Sequence, residues 1–406
     1  MTMLRAIYRS SFSLAQLAWL SGCLPVERAE TPPASSHQEE PPQAADETAA
    51  APAAGEKRRG TDTELSFDNA PWWNEPYPEP FDQAQLENQP AFISVEGNHF
   101  VDESGTTRVF QGVSIADPDF LRREGKWSKR LFEEVAAWGA NVVRVPVHPA
   151  AFAGVGKAEY IRLLDQALIW ANQSGLYVIV DWHSIGNLKT EMVQHPMYST
   201  SRRQTFDFWR TVAHRYAGIS TFAFYELFNE PTRYNGTLGE ITWDEWKTLV
   251  ESMIGIIYAH DTKVIPLVGG FNWAYDLQSV KDHPIEAEGI AYVSHPYPMK
   301  TTAPYEENWE KVWGYVAQHY PLFATEIGYM RAGGPGAHDP VIDDGSYGPR
   351  MTKYLAARGA SWIAWVFHPK WSPQLIQDWN FTPTESGAHF KKVMLSRDKP
   401  APPGAK

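Results

Sequence analysis

Eight short apolar runs, each followed by a stretch with helical periodicity, constrain the fold of this chain more than any other feature. The runs begin near Val109, Asn141, Tyr177, Phe222, Val264, Ile290, Pro321 and Ser361. Helical patterns lie between them, for example from Lys129 to Trp138, Ala158 to Asn172, Thr242 to Tyr258 and Tyr305 to His319. The runs start about 36 residues apart on average, which is roughly the length that a strand, a loop, a helix and a second loop need together.

This alternation predicts a parallel sheet covered by helices, because near-continuous apolar strands are typical of strands that are buried on both faces. Eight repeats of the unit predict an α/β fold with a closed (β/α)8 TIM barrel over residues 91–398. An open doubly wound sheet is less favoured, since no Gly-x-Gly-x-x-Gly follows the first run. In such a barrel the active site lies at the C-terminal ends of the strands.

Polar side chains stand at the predicted strand ends in seven of the eight repeats. They are Arg144 and His148, Asp181 and His183, Asn229 and Glu230, Asn272 and Trp273, His295 and Tyr297, Glu326, and Trp365 and His368. A single histidine in a core is more often structural than catalytic. Packing alone, however, gives no reason for so many hydrogen-bonding groups at one rim, so the sequence predicts a polar site there.

Two of the runs have the same pattern and end in a glutamate. Residues 222–231 read Phe-Ala-Phe-Tyr-Glu-Leu-Phe-Asn-Glu-Pro, and we interpret them as one buried strand that presents Asn229 and Glu230 at its end, where Pro231 prevents further pairing. The seventh run ends in the same way at Glu326. A solvated turn at Asn-Glu-Pro is the alternative, because glutamate is usually exposed. Two such strands in one barrel predict two carboxylates that face one site.

The composition argues against several other classes of function. The net charge of −12 disfavours nucleic acid or an anionic membrane surface as a partner. The single cysteine, Cys23, rules out an intramolecular disulfide and a multi-cysteine metal site. The sequence has no His-Glu-x-x-His, Gly-x-Ser-x-Gly or Walker-type phosphate loop. We therefore expect a neutral substrate and no metal or other cofactor.

The N-terminal region has the composition of a targeting signal and a linker. Residues 1–23 place two arginines before a short apolar run that ends in Leu-Ser-Gly-Cys23, which resembles a bacterial lipoprotein signal with an acylated cysteine. Residues 24–66 are rich in Pro, Ala and Glu and predict a disordered linker. Residues 67–90 predict an extended segment that packs on the barrel, with a separate sugar-binding role as the alternative. We expect an exported protein, either a lipoprotein of the cell envelope or an extracellular one, whose only contact with a membrane is the lipid.

Two carboxylates, many aromatic rings and neutral hydrogen-bonding groups suit the cleavage of an acetal. A glycosidic bond needs a proton on its leaving oxygen and a negative charge close to the developing oxocarbenium ion. Two carboxyl groups supply both when their surroundings separate their pKa values. The aromatic share of 13% also suits a sugar substrate, because the apolar face of a pyranose packs on an indole ring.

From about Phe92 to Phe390 the chain resembles glycoside hydrolase family 5, the family of cellulases and related endoglycanases. The resemblance is carried by Val-Val-Arg-Val-Pro at 142–146, Asn-Glu-Pro at 229–231, His-x-Tyr at 295–297 and Ala-Thr-Glu-Ile-Gly at 324–328. All eight positions that the family usually fixes have a match. The segment after Trp365 departs from the pattern, since residues 366–373 are unusually polar and aromatic, and this leaves the distal subsites and the substrate open.

The resemblance implies a retaining double displacement in which Glu230 is the general acid/base and Glu326 is the nucleophile. The supporting residues that it implies are Arg144, His183, Asn229, His295, Tyr297 and Trp365. Arg144 and Tyr297 would hydrogen-bond Glu326, and Asn229 would bind the hydroxyl next to the anomeric carbon. The two histidines would line the subsite, and the tryptophan would form its floor. We expect the charge of Arg144 to keep Glu326 ionised, and the negative charge of Glu326 to keep Glu230 protonated to higher pH.

The expected substrate is a plant-type polysaccharide, above all β-1,4-glucan cut by endo action, with β-mannan or another family 5 glycan as the alternative. A non-catalytic glycan-binding barrel is the alternative from a different class. The sequence sign of such a barrel would be the loss of one of the two glutamates, and both are present. Metal-assisted hydrolysis by His183, His295 and Asp181 is a third hypothesis. We expect a monomer.

Overall fold

Strands and helices alternate along the chain, as the spacing of the apolar runs predicts. The structure is a computed structural model that describes residues 72–397. Within them the strands are β1 (Ile93–Glu96), β2 (His99–Asp102), β3 (Thr107–Arg108), β4 (Gln111–Ser114), β5 (Val142–Val147), β6 (Tyr177–Trp182), β7 (Ile185–Asn187), β8 (Met192–Val193), β9 (Phe224–Glu226), β10 (Glu230–Pro231), β11 (Ile265–Gly269), β12 (Ala291–Val293), β13 (Leu322–Ile327) and β14 (Ser361–Ala364). The helices are α1 (Pro118–Arg123), α2 (Lys129–Ala137), α3 (Pro149–Val155), α4 (Lys157–Gln173), α5 (Arg202–Arg215), α6 (Trp243–Tyr258), α7 (Phe271–Ala274), α8 (Tyr305–Val312), α9 (Tyr347–Ala356) and α10 (Glu385–Leu395).

Eight parallel strands close into a barrel, which confirms the predicted (β/α)8 fold. They follow one another around the barrel in chain order, β4, β5, β6, β9, β11, β12, β13 and β14, and β14 then pairs with β4. Each of the eight predicted runs contains one of these strands. The helix predicted at 305–319 is divided into α8 and a 3-10 helix at Gly314–Gln318.

The two faces of the barrel strands contact different parts of the core. In β5, Val143, Val145 and Val147 pack in the large cluster between barrel and helices, whereas Val142 packs in the smaller cluster inside the barrel. Because successive side chains of a strand point to opposite faces, Arg144 also points into the barrel. The interior is therefore apolar at its N-terminal end and polar towards its C-terminal end.

A three-stranded antiparallel sheet, β1–β2–β3, closes the N-terminal end of the barrel. Phe100 on β2 contacts the rings of Phe110, Phe224 and Phe323 with centroid distances of 5.3 to 6.0 Å. Two of these three rings belong to barrel strands. This aromatic plug seals one end and leaves the other end for the site.

The interpretation of residues 222–231 as one strand is wrong in its second half. The barrel strand β9 ends at Glu226, and β10 joins β7 and β8 in a separate small sheet above the rim. Pro231 takes part in this pairing although it has no N–H, because Glu230 and Thr232 donate the hydrogen bonds, to the carbonyls of Ser184 at 3.0 Å and Gly186 at 2.9 Å.

The segment at residues 72–90 lies along α5. Arg210 donates to the carbonyls of Trp73 at 2.9 Å and Glu75 at 3.0 Å, and its guanidinium lies 3.6 Å from the ring centroid of Tyr77. Further along, the amide of Phe81 donates to the last residue of α5. The predicted signal at 1–23 and linker at 24–66 lie outside the described residues. Among the described helices, none is long and apolar enough to cross a bilayer.

The close packing of β4 against β5 predicts that a side chain at Gly112 would destabilise the barrel. A Cβ added at Gly112 would lie 1.9 Å from the carbonyl oxygen of Val142, and neither backbone can move without opening the strand pair. We expect Gly112→Ala to lower the free energy of unfolding by about 3 kcal/mol, measured by chemical or thermal denaturation.

Gly255→Ala is the matched control. Gly255 lies on the exposed side of α6, and a Cβ there would meet no atom within 4 Å. This substitution should leave stability unchanged or raise it by up to about 1 kcal/mol, because alanine favours a helix over glycine. Equal melting temperatures for the two variants would contradict the packing argument.

Candidate active site

A cleft of about 1060 Å³ opens at the C-terminal end of the barrel. Its aromatic lining residues are Phe120, Tyr198, Tyr234, Trp273, Tyr297, Trp365 and Trp371. Of the polar groups that the sequence predicted at the strand ends, those lining it are His148, His183, Asn229, Glu230, Asn272 and Glu326. Arg144 and His295 lie beneath the floor and are fully buried.

Arg144 lies at the centre of the site and pairs with three carboxylates. Its Nε donates to Glu226 at 2.7 Å, and its Nη1 donates to Glu326 at 2.9 Å. Its Nη2 lies 2.9 Å from Asp181 and donates to the side-chain oxygen of Asn229 at 2.7 Å. Burial acts to lower the pKa of Arg144, but the three carboxylates outweigh it and raise the pKa above its usual value. Contrary to the sequence prediction, Arg144 is not at the strand end, because it is the third residue of β5.

Glu326 has two hydrogen-bond donors and little contact with solvent. Arg144 donates to its Oε1, and the hydroxyl of Tyr297 donates to its Oε2 at 2.8 Å. Both contacts match the expectation from the sequence. Arg144 also acts in the expected direction and lowers the pKa of Glu326, but it does not decide the net shift. Burial raises the pKa of Glu326 above its ordinary value and outweighs the opposing charges of His295 and Arg144.

His295 lies between the two predicted catalytic glutamates. Its Nδ1 is 3.0 Å from Oε1 of Glu230 and 3.7 Å from Oε2 of Glu326. One oxygen of each glutamate and a ring nitrogen of His295 all lie within 4.8 Å of one another. Burial opposes protonation of this ring, but Glu326, Glu226 and Glu230 together raise the pKa of His295 to about 9. The ring is therefore a buried cation at neutral pH.

Two buried residues of the site, Glu226 and Thr325, were missed by the sequence analysis. Glu226 accepts two hydrogen bonds from Arg144 and a third from the hydroxyl of Thr325 at 2.9 Å. Burial acts to raise the pKa of Glu226, but Arg144 and His295 outweigh it and lower the pKa to about 2. The signal for Glu226 was present, because a glutamate in the middle of an apolar run can only be buried with a partner.

No sequence signal could have identified Thr325. In a regular strand the side chains of Thr325 and Glu326 would point to opposite faces. The register of β13 shifts between Ala324 and Ile327, as in a β-bulge, and both polar side chains then contact groups inside the barrel. Bulges often redirect side chains beside active sites, and only the tertiary pairing shows where one occurs.

His183 and Trp365 form one wall of the cleft above Arg144. Their rings are parallel within 2°, with centroids 5.3 Å apart. His183 Nδ1 shares a hydrogen bond of 2.6 Å with Asp181, which in turn pairs with Arg144. Burial lowers the pKa of His183 well below its ordinary value, so this ring is neutral. A flat indole and a neutral imidazole suit the face and hydroxyls of a sugar.

The segment after Trp365 is folded around a buried histidine. Nδ1 of His368 accepts hydrogen bonds from the amides of Lys370 and Trp371, and its Nε2 lies 3.1 Å from Glu124. His368 therefore shapes the loop instead of facing the cleft. The loop presents Trp371 beside Trp365, with ring centroids 6.3 Å apart.

Trp273 lies on the opposite wall in α7, which is a single left-handed turn and not a regular α-helix. Asn272, Trp273 and Ala274 have φ values of 57°, 56° and 53°, a conformation that non-glycine residues rarely adopt. The turn is held by the indole N–H of Trp273, which donates to Gln194 at 2.7 Å. Backbone strain of this kind is found where a side chain must be held in one orientation.

The residues of the metal hypothesis do not converge. Among the described residues, His183, His295 and Asp181 do not form a group whose nitrogen and oxygen atoms could reach one ion. His183 is hydrogen-bonded to Asp181, whereas His295 contacts the glutamates.

A family model described as cellulase, glycosyl hydrolase family 5, matches residues 101–370. Among curated proteins, endoglucanase A of Butyrivibrio fibrisolvens is 28% identical over 254 residues, which cover 60% of this chain and 53% of that protein. Endoglucanase E-5 of Thermobifida fusca is also 28% identical, over 68% of this chain and 55% of that protein. The chain thus matches little more than half the length of these relatives.

Solved structures give a similar result. A β-glucanase from Saccharophagus degradans in complex with cellotetraose is 52% identical, with a TM-score of 0.78, and the match covers 80% of this chain and 98% of that chain. The catalytic domain of Thermobifida fusca endoglucanase Cel5A has a TM-score of 0.61 at 21% identity, over 75% of this chain and 97% of that one. The second likeness supports the fold alone.

The charge on His295 predicts a pH-dependent stability. The pKa of His295 is about 9 in the folded protein, whereas its ordinary value is 6.5. Protonation of this ring therefore stabilises the fold fully below pH 6.5. This contribution to stability is lost as the pH rises through 9. We expect the difference in unfolding free energy between wild type and His295→Gln to fall by up to about 3 kcal/mol between pH 6.5 and 9.

His283→Gln is the control, because the side chain of His283 is 60% exposed and far from the barrel interior. Denaturant titrations across the same pH range should give parallel curves for this variant and the wild type. A constant difference between wild type and His295→Gln would show that His295 does not carry this charge.

Proposed function

Because the chain belongs to glycosyl hydrolase family 5, we propose that it is a retaining, endo-acting β-glycoside hydrolase whose substrate is β-1,4-glucan. The observation that carries the proposal is a pair of nearly buried glutamates that face each other across the floor of an open cleft. Glu230 is 8% exposed and Glu326 is 4% exposed, and both line the cleft.

The spacing of the two carboxylates supports retention. Their closest oxygens lie within 4.8 Å, whereas an inverting enzyme keeps its carboxyl groups roughly 6.5–9.5 Å apart to hold a water molecule between acid and base. Retaining enzymes keep them about 5–5.5 Å apart, so that one carboxylate reaches the anomeric carbon directly.

Glu326 is the proposed nucleophile. Arg144 and Tyr297 each occupy one of its oxygens and fix the plane of the carboxylate. In the first step an oxygen of Glu326 bonds to the anomeric carbon as the bond to the leaving oxygen breaks, which gives a glycosyl ester. In the second step water attacks the same carbon and releases Glu326.

Glu230 is the proposed acid and base. It protonates the leaving oxygen in the first step and takes a proton from the attacking water in the second. The second small sheet gives it this position, since the pairing of β10 with β7 holds its backbone above the rim. His295 is within hydrogen-bond distance of its carboxylate.

Asn229 is suited to bind the hydroxyl next to the anomeric carbon. Its side-chain oxygen is occupied by Arg144, which leaves the amide nitrogen as the end that faces a ligand. That nitrogen is buried and has no hydrogen-bond partner in the described part of the protein. A buried donor without an acceptor costs about 1–3 kcal/mol, and a sugar hydroxyl would supply the acceptor.

The arrangement of the aromatic residues supports endo action. Phe120 and Trp371 follow β4 and β14, whereas Trp273 follows β11, which lies on the far side of the barrel. The two glutamates lie between these aromatic groups. A glucan chain that contacts both groups therefore extends beyond the cleavage point in each direction, as internal cutting requires.

The preference for β-1,4-glucan rests on a structural likeness at 52% identity. The Saccharophagus degradans protein that shares 52% identity is a β-glucanase bound to cellotetraose, and the match covers 98% of that chain. The two curated relatives described above are endoglucanases. A β-mannan remains the second candidate, because the chemistry at the cleaved bond is the same. Export and acylation at Cys23 rest on residues outside the described range and stay predictions.

Substitution of the two glutamates tests the proposed roles. We expect Glu326→Ala to lower kcat on carboxymethylcellulose by at least about 10³-fold, because the nucleophile is lost. Glu230→Ala should lose about 10²–10⁴-fold on the same polymer but much less kcat/KM on 2,4-dinitrophenyl β-cellobioside, whose leaving group needs no proton. Reducing-sugar release and dinitrophenolate absorbance are the measurements.

The control for these variants is Glu133→Gln on α2, whose side chain is 54% exposed and pairs with Lys129. It should retain full activity. Equal reducing-sugar release by wild type and Glu326→Ala would refute the catalytic assignment.

A panel of polysaccharides tests the substrate. We expect the highest initial rate on a soluble β-1,4-glucan, with products of several lengths from the earliest times, because the cleft binds sugars on both sides of the cut. Chromatography of the products against β-mannan, xylan and β-1,3-glucan digests is the measurement. A faster rate on mannan would identify β-mannan as the substrate. Products of a single length would contradict endo action.

A further inference from the structure

Beneath Glu230 lies a continuous chain of buried hydrogen bonds that the proposed mechanism does not use. It runs from Glu226 to Thr325 at 2.9 Å, from Thr325 to Nε2 of His295 at 3.0 Å, and from Nδ1 of His295 to Glu230 at 3.0 Å. The first three side chains are all fully buried.

The direction of these hydrogen bonds follows from the number of protons. Glu226, held ionised by Arg144, can only accept, so the hydroxyl of Thr325 must donate its single proton to Glu226. Thr325 can then only accept from His295, and Nε2 of the ring must carry a hydrogen. The remaining ring nitrogen, Nδ1, faces Glu230.

This arrangement leaves one proton to be shared at Nδ1. Either a protonated Glu230 donates to the lone pair of a neutral ring, or an imidazolium donates to an ionised Glu230. The alternative neutral tautomer, with its hydrogen on Nδ1, would leave Nε2 and the hydroxyl of Thr325 without a hydrogen between them. The chain thus fixes the place of this proton, between Nδ1 of His295 and the carboxylate of Glu230.

We propose that Glu226 and Thr325 are positioning residues that act through His295 to hold the acid proton in the hydrogen bond between Nδ1 of His295 and Glu230. The inference rests on the proposed function, since it assumes that Glu230 is the general acid. The negative charge of Glu226 favours the protonated ring of His295. Thr325 connects the two by hydrogen bonds and thereby fixes the orientation of the ring. Neither residue touches the cleft.

The other groups around His295 are compatible with this role. Those that are charged or titratable are Glu226 on β9, Glu230 on β10, Glu326 on β13, Arg144 on β5, Asp181 on β6, His183 after β6 and Tyr297 after β12. Burial acts to lower the pKa of His295, but the glutamates outweigh it and raise the pKa to about 9. Of the three glutamates that face the ring, only Glu226 is not itself a proposed catalytic group.

The test compares Thr325→Val with Thr325→Ser. Valine has nearly the shape of threonine but no hydroxyl, whereas serine keeps the hydroxyl. We expect Thr325→Val to lower kcat/KM at least about 10-fold on carboxymethylcellulose and less than about 3-fold on 2,4-dinitrophenyl β-cellobioside, because only the polymer requires the acid proton. The serine variant should restore the wild-type ratio between the two substrates.

Glu226→Gln tests the charge separately. Removing an opposite charge beside His295 should move the alkaline limb of the pH profile of kcat/KM to lower pH by about one unit or more. A purely structural effect would lower the rate at every pH and leave the limb in place. Equal losses on both substrates for Thr325→Val, or an unmoved alkaline limb for Glu226→Gln, would overturn the proposal.

A measurement on the wild type does not depend on the folding of any variant. In protein labelled with 15N at histidine, the signals of His295 are those that are absent from the spectrum of His295→Gln. These signals should show a hydrogen on Nε2 at every pH of the titration. They should also show that Nδ1 loses its hydrogen near pH 9. A ring that keeps its last proton on Nδ1 would refute the proposal. A wild type that cleaves neither substrate would instead refute the proposed function.

Discussion

The ion pairs of one buried arginine hold the site together. Arg144 contacts Asp181, Glu226 and Glu326, which lie on three different strands of the barrel. Three carboxylates cannot be buried side by side without a cation, because the cost of removing their charges from water would exceed the stability of the fold. The position of Arg144 inside the barrel therefore decides where the acidic groups can be, and hence where chemistry can occur.

His295 is a second cation that offsets the negative charge of the site. His295 faces three glutamates and is protonated at neutral pH, so two positive groups offset a cluster of negative ones. The two cations differ in kind. Arg144 keeps its charge at every pH and fixes geometry, whereas His295 can lose a proton and is placed against Glu230, the proposed acid and base.

The barrel accommodates this concentration of charge because its apolar N-terminal end is separate from its polar C-terminal end. Phe100 and its aromatic neighbours fill the N-terminal end, and the strand and helix layers bury the outer faces. The polar groups are therefore confined to one end, where the cleft admits a substrate. The small sheet that carries Glu230 and the loop that carries Trp371 are additions above this rim, and they shape the cleft without altering the barrel.

The sequence by itself determined the order and spacing of the eight strands, because buried parallel strands require apolar runs and the connecting helices require a fixed length. It also identified polar residues that line the cleft, including Glu230 and Glu326, but Arg144 and His295, which it placed at the same rim, are buried beneath the floor. Only the tertiary structure decided that β9 ends at Glu226, that Thr325 and Glu326 contact the same interior, and that burial raises the pKa of Glu326. These features depend on strand register and on charges contributed by distant parts of the chain, and a linear pattern contains neither.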